Sequence, residues 1–191
     1  MKSWLKSLAR RILYQPRGMT IGKTSGIRRP RWIIGPSQIY IGEKTRIGRF
    51  AVLSALKDYA GVPLNGRIII GDDIYIGRWV QIHAMDCIEI GDGAVPSEHV
   101  HLTDCEHGFD PFGPPIMEQK LTSKGPVKIG RRCFVGFGCT ILPGVTLGDH
   151  CIVGARSVVT KSFPPFSMVV GSPAKLVKTF DFATKKWIAT R

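Results

Sequence analysis

A six-residue repeat of apolar residues runs through the second half of this chain and constrains the fold more than any other feature. The repeat is clearest from Ile129 to Lys161, where an apolar residue recurs at every sixth position. A helix repeats about every 3.6 residues and a strand about every 2, so neither element alone sustains a period of six. Such a period is typical of a parallel β-helix, in which short strands joined by turns wind round a prism and bury apolar residues inside it.

The same repeat occurs upstream in shorter stretches. Three six-residue units make one triangular coil of about 18 residues. The sequence therefore predicts five coils, at residues 41–58, 70–87, 90–107, 129–146 and 147–164. The predicted fold is all-β, with a β-helix domain that spans residues 34–164.

Two segments interrupt the repeat. Residues 59–69 contain Gly, Pro and Asn, and residues 104–126 contain several prolines. Both are predicted to be loops, because these residue types break regular strands. Loops longer than about 12–15 residues in a compact domain are usually functional or disordered. The longer segment is therefore where functional residues are expected.

The two ends of the chain differ from the repeat. Residues 1–16 are predicted to form a basic amphipathic helix, which either lies on an anionic membrane surface or caps the coils. No signal peptide or membrane span is predicted there. Residues 165–191 form a C-terminal tail, and its last residues, FDFATKKWIATR, are expected to form a short helix.

The formal net charge of +13 indicates a polyanionic partner such as an anionic membrane face or a phosphorylated cofactor. Nucleic acid is not expected, because the chain has no RNA-binding or helix-turn-helix signature. Cys133, Cys139 and Cys151 occupy the small interior position of the repeat. They are predicted to be core residues in a reducing compartment and not metal ligands or disulfides, so the predicted location is the cytoplasm or the inner face of the membrane.

The repeat, the long loop and the C-terminal segment together resemble the hexapeptide-repeat acyltransferases, in particular the sugar O-acetyltransferases of surface-polysaccharide biosynthesis and the galactoside and maltose acetyltransferases. The resemblance is carried by LTDCEHGFDP (102–111), LTSKGPVKIG (121–130), ILPGVTLGD (141–149) and VVTKSFPPFSMVVGSPAKLVK (158–178). It implies a left-handed parallel β-helix, a homotrimer and acetyl-CoA as the acyl donor. The left hand comes from the resemblance alone, because general sterics favour right-handed crossovers.

Acyl transfer to a hydroxyl needs a general base, and histidine titrates in the useful range. His107 lies in the long loop and matches the family's catalytic histidine. Asp104 or Glu106 is predicted to fix its imidazole tautomer. His83, on the preceding coil, stands in a region where relatives often have an asparagine, which makes it a further catalytic candidate. The oxyanion is expected to find backbone N–H donors near Gly136.

The resemblance also implies a set of acetyl-CoA contacts, carried over by position. They fall on Gly136, Phe137, Ala155, Thr160, Lys161, Lys175 and Lys178. The two C-terminal lysines are suited to the phosphates of coenzyme A. The expected acceptor is a hydroxyl of a sugar or glycan, including a lipid-linked precursor.

Three other functions are compatible with a β-helix. One is N-acetyl transfer to an amino sugar or nucleotide sugar, and the second is a non-catalytic scaffold or binding protein. The third is a zinc carbonic anhydrase, but the spacing of His101 and His107 does not match its histidine ligands. No metal site is therefore predicted.

Overall fold

The computed structural model describes residues 16–190. The amphipathic helix predicted at residues 1–16 therefore lies almost entirely outside the described residues.

Within residues 16–190, six coils of three short strands each form a β-helix, and a hairpin projects between the second and third coils. The first two coils contain β1 (Thr20–Ile21), β2 (Gly26–Ile27), β3 (Trp32–Ile34), β4 (Ile39–Ile41), β5 (Arg46–Ile47) and β6 (Val52–Ala55). The hairpin and the next two coils contain β7 (Asp58–Tyr59), β8 (Val62–Pro63), β9 (Arg67–Ile70), β10 (Tyr75–Ile76), β11 (Gln81–Ala84), β12 (Cys87–Ile90), β13 (Val95–Pro96) and β14 (His101–Thr103). The last two coils contain β15 (Val127–Ile129), β16 (Phe134–Val135), β17 (Thr140–Ile141), β18 (Thr146–Leu147), β19 (Ile152–Val153) and β20 (Val158–Val159).

Equivalent strands of successive coils pair in parallel and build three faces. The first face runs in the order β1-β4-β9-β12-β15-β18, and the third in the order β3-β6-β11-β14-β17-β20. The second face consists of two sheets, one of β2-β5-β10 and one that continues through β13, β16 and β19. A hydrogen bond of 2.8 Å from the Gly77 N–H to the Pro96 carbonyl joins these two sheets. The predicted parallel β-helix is confirmed, and its left hand stays a prediction.

The repeat residues form the core. Leu102, Ile141 and Val153 are fully buried, and the three predicted core cysteines are buried with them. Each of those cysteines donates its Sγ–H to a backbone carbonyl at 3.0–3.2 Å. The small interior position is thus filled by a side chain that is compact, largely apolar and still able to satisfy a carbonyl.

The coils begin earlier than predicted. Strands β1, β2 and β3 form a complete first coil, so the β-helix starts at Thr20 and not at residue 34. The six-residue spacing is present there as Ile21, Ile27 and Ile33. The basic RRPR run between the last two isoleucines obscures the repeat, although Arg29 and Arg31 of that run are exposed and its other two residues are half-buried.

The first predicted loop is mostly strand. Strands β7 and β8 form an antiparallel hairpin, and residues 67–69 already belong to β9. The two residues at the hairpin tip, Ala60 and Gly61, have φ angles of 48° and 74°. Positive φ at both central residues is the conformation of the tight two-residue turn that matches strand twist. The second predicted loop, 104–126, contains only a 3-10 helix at Ile116–Glu118 and an isolated bridge between Glu106 and Thr122.

The C-terminal segment is a β-meander and not a helix. Strand β21 (Ser167–Gly171) continues the second face in parallel, and β22 (Ala174–Asp181) and β23 (Lys186–Ala189) add to it antiparallel. The predicted helix is wrong because Phe180 and Trp187 are cross-strand partners with ring centroids 5.5 Å apart, a packing that favours a hairpin. No helix within residues 16–190 is long and apolar enough to cross a membrane.

Candidate active site

His107 is an exposed side chain at the start of the long loop, four residues after β14 ends. The base of this loop is closed by two backbone hydrogen bonds of 2.8 Å, exchanged between Glu106 and Thr122. The imidazole therefore stands at a defined point where the chain leaves the prism.

A tyrosine from the β7–β8 hairpin meets His107. The Tyr59 hydroxyl lies 3.3 Å from His107 Nδ1 and donates a hydrogen bond of 2.9 Å to the backbone carbonyl of Met117. The two rings meet edge to face, with centroids 5.5 Å apart. The hairpin and the long loop, which are far apart in sequence, thus meet at the Tyr59 hydroxyl beside the imidazole. No motif indicated Tyr59, because its role depends on a contact across 48 residues.

The long loop is held in shape by one buried side chain. Gln119 accepts a hydrogen bond of 2.9 Å from the Asp110 N–H and donates to the carbonyls of Asp110 and Pro114 at 3.0 and 2.8 Å. The amide therefore replaces the backbone pairing that the loop cannot make with a neighbouring strand.

Asp104 does not contact His107. Its buried carboxylate accepts three backbone N–H groups, from Met85 at 2.7 Å, Asp86 at 3.0 Å and Cys87 at 2.7 Å. Burial raises the pKa of Asp104 above its ordinary value, and the three N–H donors oppose that rise. The prediction that Asp104 orients His107 is therefore wrong. The chain leaves the prism here, so the carboxylate satisfies donors that a continuing coil would have paired.

His83 lies on the outer side of the third face, one coil before the loop. It is aligned with Thr103 of β14, and its ring meets that of His101 edge to face at 5.6 Å. Burial, together with the charge of His101, lowers the pKa of His83 to about 4. His83 is therefore neutral near physiological pH and can offer a hydrogen bond to a bound molecule but no charge.

Cys105 is close to His107 in sequence but is not an activated nucleophile. Burial raises the pKa of its thiol. A thiolate and not a thiol is the reactive form, so this residue does not favour a covalent acyl-enzyme.

Several of the predicted cofactor residues lie together at one corner of the prism. Gly136 stacks on the next coil, and a Cβ added there would lie 2.7 Å from the Ala155 nitrogen. The half-exposed Phe137 ring lies 5.2 Å from the His99 ring and 5.5 Å from the Arg156 guanidinium. The Gly136 N–H donates to Val153 at 2.9 Å, so it belongs to the coil ladder and is not available to an oxyanion.

The other predicted cofactor residues belong to the end of the last coil and to the C-terminal meander. Thr160 and Lys161 follow β20 and are exposed. Lys175 pairs across the meander with Val170, whose side chain lies against Gly154, and Lys178 pairs with Met168. These three lysines make no ion pair within residues 16–190. They are therefore cations that a phosphate group can approach without competing with a carboxylate.

A three-histidine metal centre has no counterpart here. Within the described residues, no group of three or more His, Cys, Asp or Glu side chains is arranged to hold a metal ion. His83 and His101 are close to each other, but His107 points to Tyr59.

Known proteins resemble this chain in sequence. Residues 126–161 match the family described as bacterial transferase hexapeptide (six repeats). WbbJ of Escherichia coli (strain K12), named as a putative lipopolysaccharide biosynthesis O-acetyl transferase, is 30% identical over 167 residues, which cover 84% of this chain and 82% of WbbJ. A probable acetyltransferase of Mycobacterium tuberculosis is 35% identical over 127 residues, covering 66% of this chain and 42% of that protein.

A solved structure resembles it in fold. A variant of AntD, an N-acyltransferase from Bacillus cereus in complex with dTDP and coenzyme A, matches with a TM-score of 0.72 and 25% identity, covering 87% of this chain and 90% of AntD. Similarity to WbbJ over most of both chains, the hexapeptide match and the six coils agree with one another. The chain therefore belongs to the bacterial transferase hexapeptide family and is an acyltransferase.

Proposed function

We propose that this protein is an acetyl-CoA-dependent O-acetyltransferase that acts on a hydroxyl of a sugar or glycan, with His107 as the general base. The observation that carries the proposal is the position of His107, exposed and braced at the point where the long loop leaves the coils. The name of WbbJ, an O-acetyl transferase of lipopolysaccharide biosynthesis, supports the acceptor class.

The reaction is direct attack on the thioester. His107 takes the proton from the acceptor hydroxyl while the oxygen forms a bond to the acetyl carbonyl carbon. The carbon–sulfur bond then breaks, and the imidazolium returns the proton to the coenzyme A sulfur. The acetyl group ends on the acceptor as an ester, and free coenzyme A thiol is released. A base placed in this way typically contributes about 10²–10⁴-fold to the rate.

In this proposal coenzyme A binds at the corner that holds Gly136 and extends to the C-terminal end of the β-helix. Its phosphates would approach Lys161, Lys175 and Lys178, whose ammonium groups have no carboxylate partner among the described residues. Gly136 and Ala155 are stacked in successive coils at that corner, and the Phe137 ring lies beside them. A homotrimer, implied by the family resemblance, is part of this proposal; its mass in solution would be three times the 21.1 kDa of one chain.

The proposal is tested by following thiol release from acetyl-CoA with a panel of sugars and glycans. His107→Ala is expected to lower turnover by at least about 10²-fold without loss of folding, because the base is removed. His150→Asn is the matched control. His150 is a half-buried corner histidine, away from His107, whose ring stacks on Phe166 with centroids 4.8 Å apart. Its φ is 59°, and Asn tolerates that conformation. Turnover of His107→Ala equal to that of the unsubstituted enzyme would refute the base assignment.

N-acyl transfer to a nucleotide-linked amino sugar is the second candidate, favoured by the similarity to AntD. The acceptor panel therefore includes such sugars. The product distinguishes the two, because an ester is cleaved by mild alkali and an amide survives it. Absence of both thiol release and coenzyme A binding with every acceptor would exclude an acyltransferase site at this corner.

A further inference from the structure

We propose that Tyr59 is the positioning residue of His107 and that it fixes the imidazole as the Nδ1–H tautomer. This inference rests on the proposed role of His107 as the base and extends it to a residue of a different segment. The Tyr59 hydroxyl oxygen lies 3.3 Å from His107 Nδ1 and 2.9 Å from the backbone carbonyl oxygen of Met117.

The first step is the single proton of the phenol. A tyrosine hydroxyl can donate one hydrogen bond and accept others. The Met117 carbonyl can only accept, and at 2.9 Å it is a normal partner for the hydroxyl proton. The Met117 sulfur, at 3.9 Å, is a weak and distant alternative. The proton of Tyr59 is therefore used by the carbonyl.

The second step concerns the imidazole. With its proton directed to Met117, the Tyr59 oxygen can interact with His107 Nδ1 only as an acceptor, so Nδ1 must carry a hydrogen. In a neutral imidazole the other nitrogen, Nε2, then holds the lone pair. Nε2 makes no hydrogen bond within residues 16–190, so the basic nitrogen remains available to an acceptor hydroxyl. The hydrogen bond made by one ring nitrogen thus determines the chemistry of the other.

The third step is the rigidity of the support. Tyr59 immediately precedes the two-residue turn of the β7–β8 hairpin, whose residues Ala60 and Gly61 both have positive φ. Hydrogen bonds from Leu64 N to Lys57 O at 2.7 Å and from Gly66 N to Leu56 O at 2.9 Å join the two arms of the hairpin down to its base. A Leu56 N to Ala84 O hydrogen bond of 2.8 Å joins that base to the end of β11 in the next coil. The hydroxyl is therefore held by the coils, while the groups that it contacts belong to the long loop. Tyr59 aligns the loop with the coils at the position of the base.

The group beside His107 Nδ1 is a neutral phenol and not a carboxylate, and this limits what Tyr59 can contribute to catalysis. A carboxylate beside Nδ1 would also stabilise the imidazolium by charge, whereas a phenol oxygen mainly orients the ring and selects the tautomer. Asp104, the carboxylate expected in this role, is occupied by three backbone N–H groups. The effect of removing the Tyr59 hydroxyl should therefore be the loss of one hydrogen bond and not the loss of catalysis.

The test is Tyr59→Phe in the full chain, with Tyr75→Phe as the matched control because Tyr75 is an exposed tyrosine on β10. The tautomer is read from 1H–15N correlations of 15N-histidine-labelled protein above neutral pH, with His107→Ala identifying the signal. We expect a protonated Nδ1 and a bare Nε2 for His107 in the unsubstituted protein and in Tyr75→Phe, and a mixture of tautomers in Tyr59→Phe. Turnover of Tyr59→Phe should fall by about tenfold, the size of one hydrogen bond, with the KM of both substrates unchanged.

The outcomes separate this inference from the proposed function. An Nε2–H tautomer in the unsubstituted protein, or an unchanged tautomer and turnover in Tyr59→Phe, would overturn the role of Tyr59 even if His107→Ala is inactive. Full activity of His107→Ala would instead refute the base assignment. The tautomer signal needs no substrate, so it would still report whether Tyr59 orients the ring.

Discussion

The coils and the long loop use apolar residues in opposite ways. In the coils, apolar side chains such as Ile141 point inward and are fully buried. In the loop, Phe109 and Phe112 are 77% and 97% exposed, and the loop is held instead by hydrogen bonds of Gln119 and Tyr59. Stability therefore depends mainly on the coils, and the geometry of the candidate base depends on a few polar contacts. The two properties should be separable by substitution.

The largest expected effect is on the free energy of unfolding, which should fall far more for a substitution in the coils than for one in the long loop. Ile141→Ala removes buried atoms of β17 and leaves a cavity between two coils, so the free energy of unfolding should fall by about 2–5 kcal/mol. Phe112→Ala removes a larger side chain from the loop, but its ring is 97% exposed, and the change should stay within about 0.5 kcal/mol. Denaturant unfolding of both variants measures the difference. Similar losses in the two would mean that the loop aromatic is covered in solution.

The next effect should appear in activity without appearing in global stability. Gln119→Ala removes the three hydrogen bonds that shape residues 108–119, so the loop should open more often while the coils stay folded. Misplacement of His107 should then lower turnover by about tenfold, since small displacements of a catalytic group are costly. Hydrogen exchange should accelerate in the loop only.

The neighbouring residue provides the control for that experiment. Lys120→Ala removes an exposed side chain at the adjacent position and should change neither turnover nor exchange. Accelerated exchange in the coil strands of Gln119→Ala would show that the amide stabilises the whole domain. Fast exchange in the loop with full turnover would show that His107 does not depend on the loop for its position.

The coils were predictable because each one repeats a local rule. The six-residue spacing of Ile129, Val135 and Ile141 reflects one interior position per strand, so sequence alone indicates which side chains are buried. The first coil follows the same rule but was not predicted, because its isoleucines are separated by a basic run. The C-terminal meander has no such repeat, and its pairing depends on contacts such as that of Phe180 with Trp187.

The candidate site was predictable only in part. His107 could be found because the resemblance supplies a histidine in a loop at that point. Its neighbours could not, because the repeat says nothing of how residues 104–126 fold back. Asp104 is near His107 in sequence, but its carboxylate accepts hydrogen bonds from three backbone N–H groups that follow β11. Tyr59 is far away in sequence, but the hairpin brings it into contact.

The smallest expected effect concerns His83 on β11, which pairs with β14, the strand that precedes the long loop. Its pKa is lowered from 6.5 to about 4, first by burial and then by the charge of His101. Between these two pH values the unfolded chain binds a proton at this residue and the folded chain does not. The contribution of His83 to the free energy of unfolding is therefore fully present above about pH 6.5 and decreases as the pH falls towards 4.

His83→Asn removes that group. The substitution should reduce by up to one the number of protons taken up on unfolding in this range, as measured from the pH dependence of the unfolding free energy. His101, whose pKa is also lowered by burial, remains in both proteins and should leave a residual slope. Identical slopes for the two proteins would show that His83 titrates normally on an open surface, and the third face would then offer a charged rather than a neutral group beside the loop.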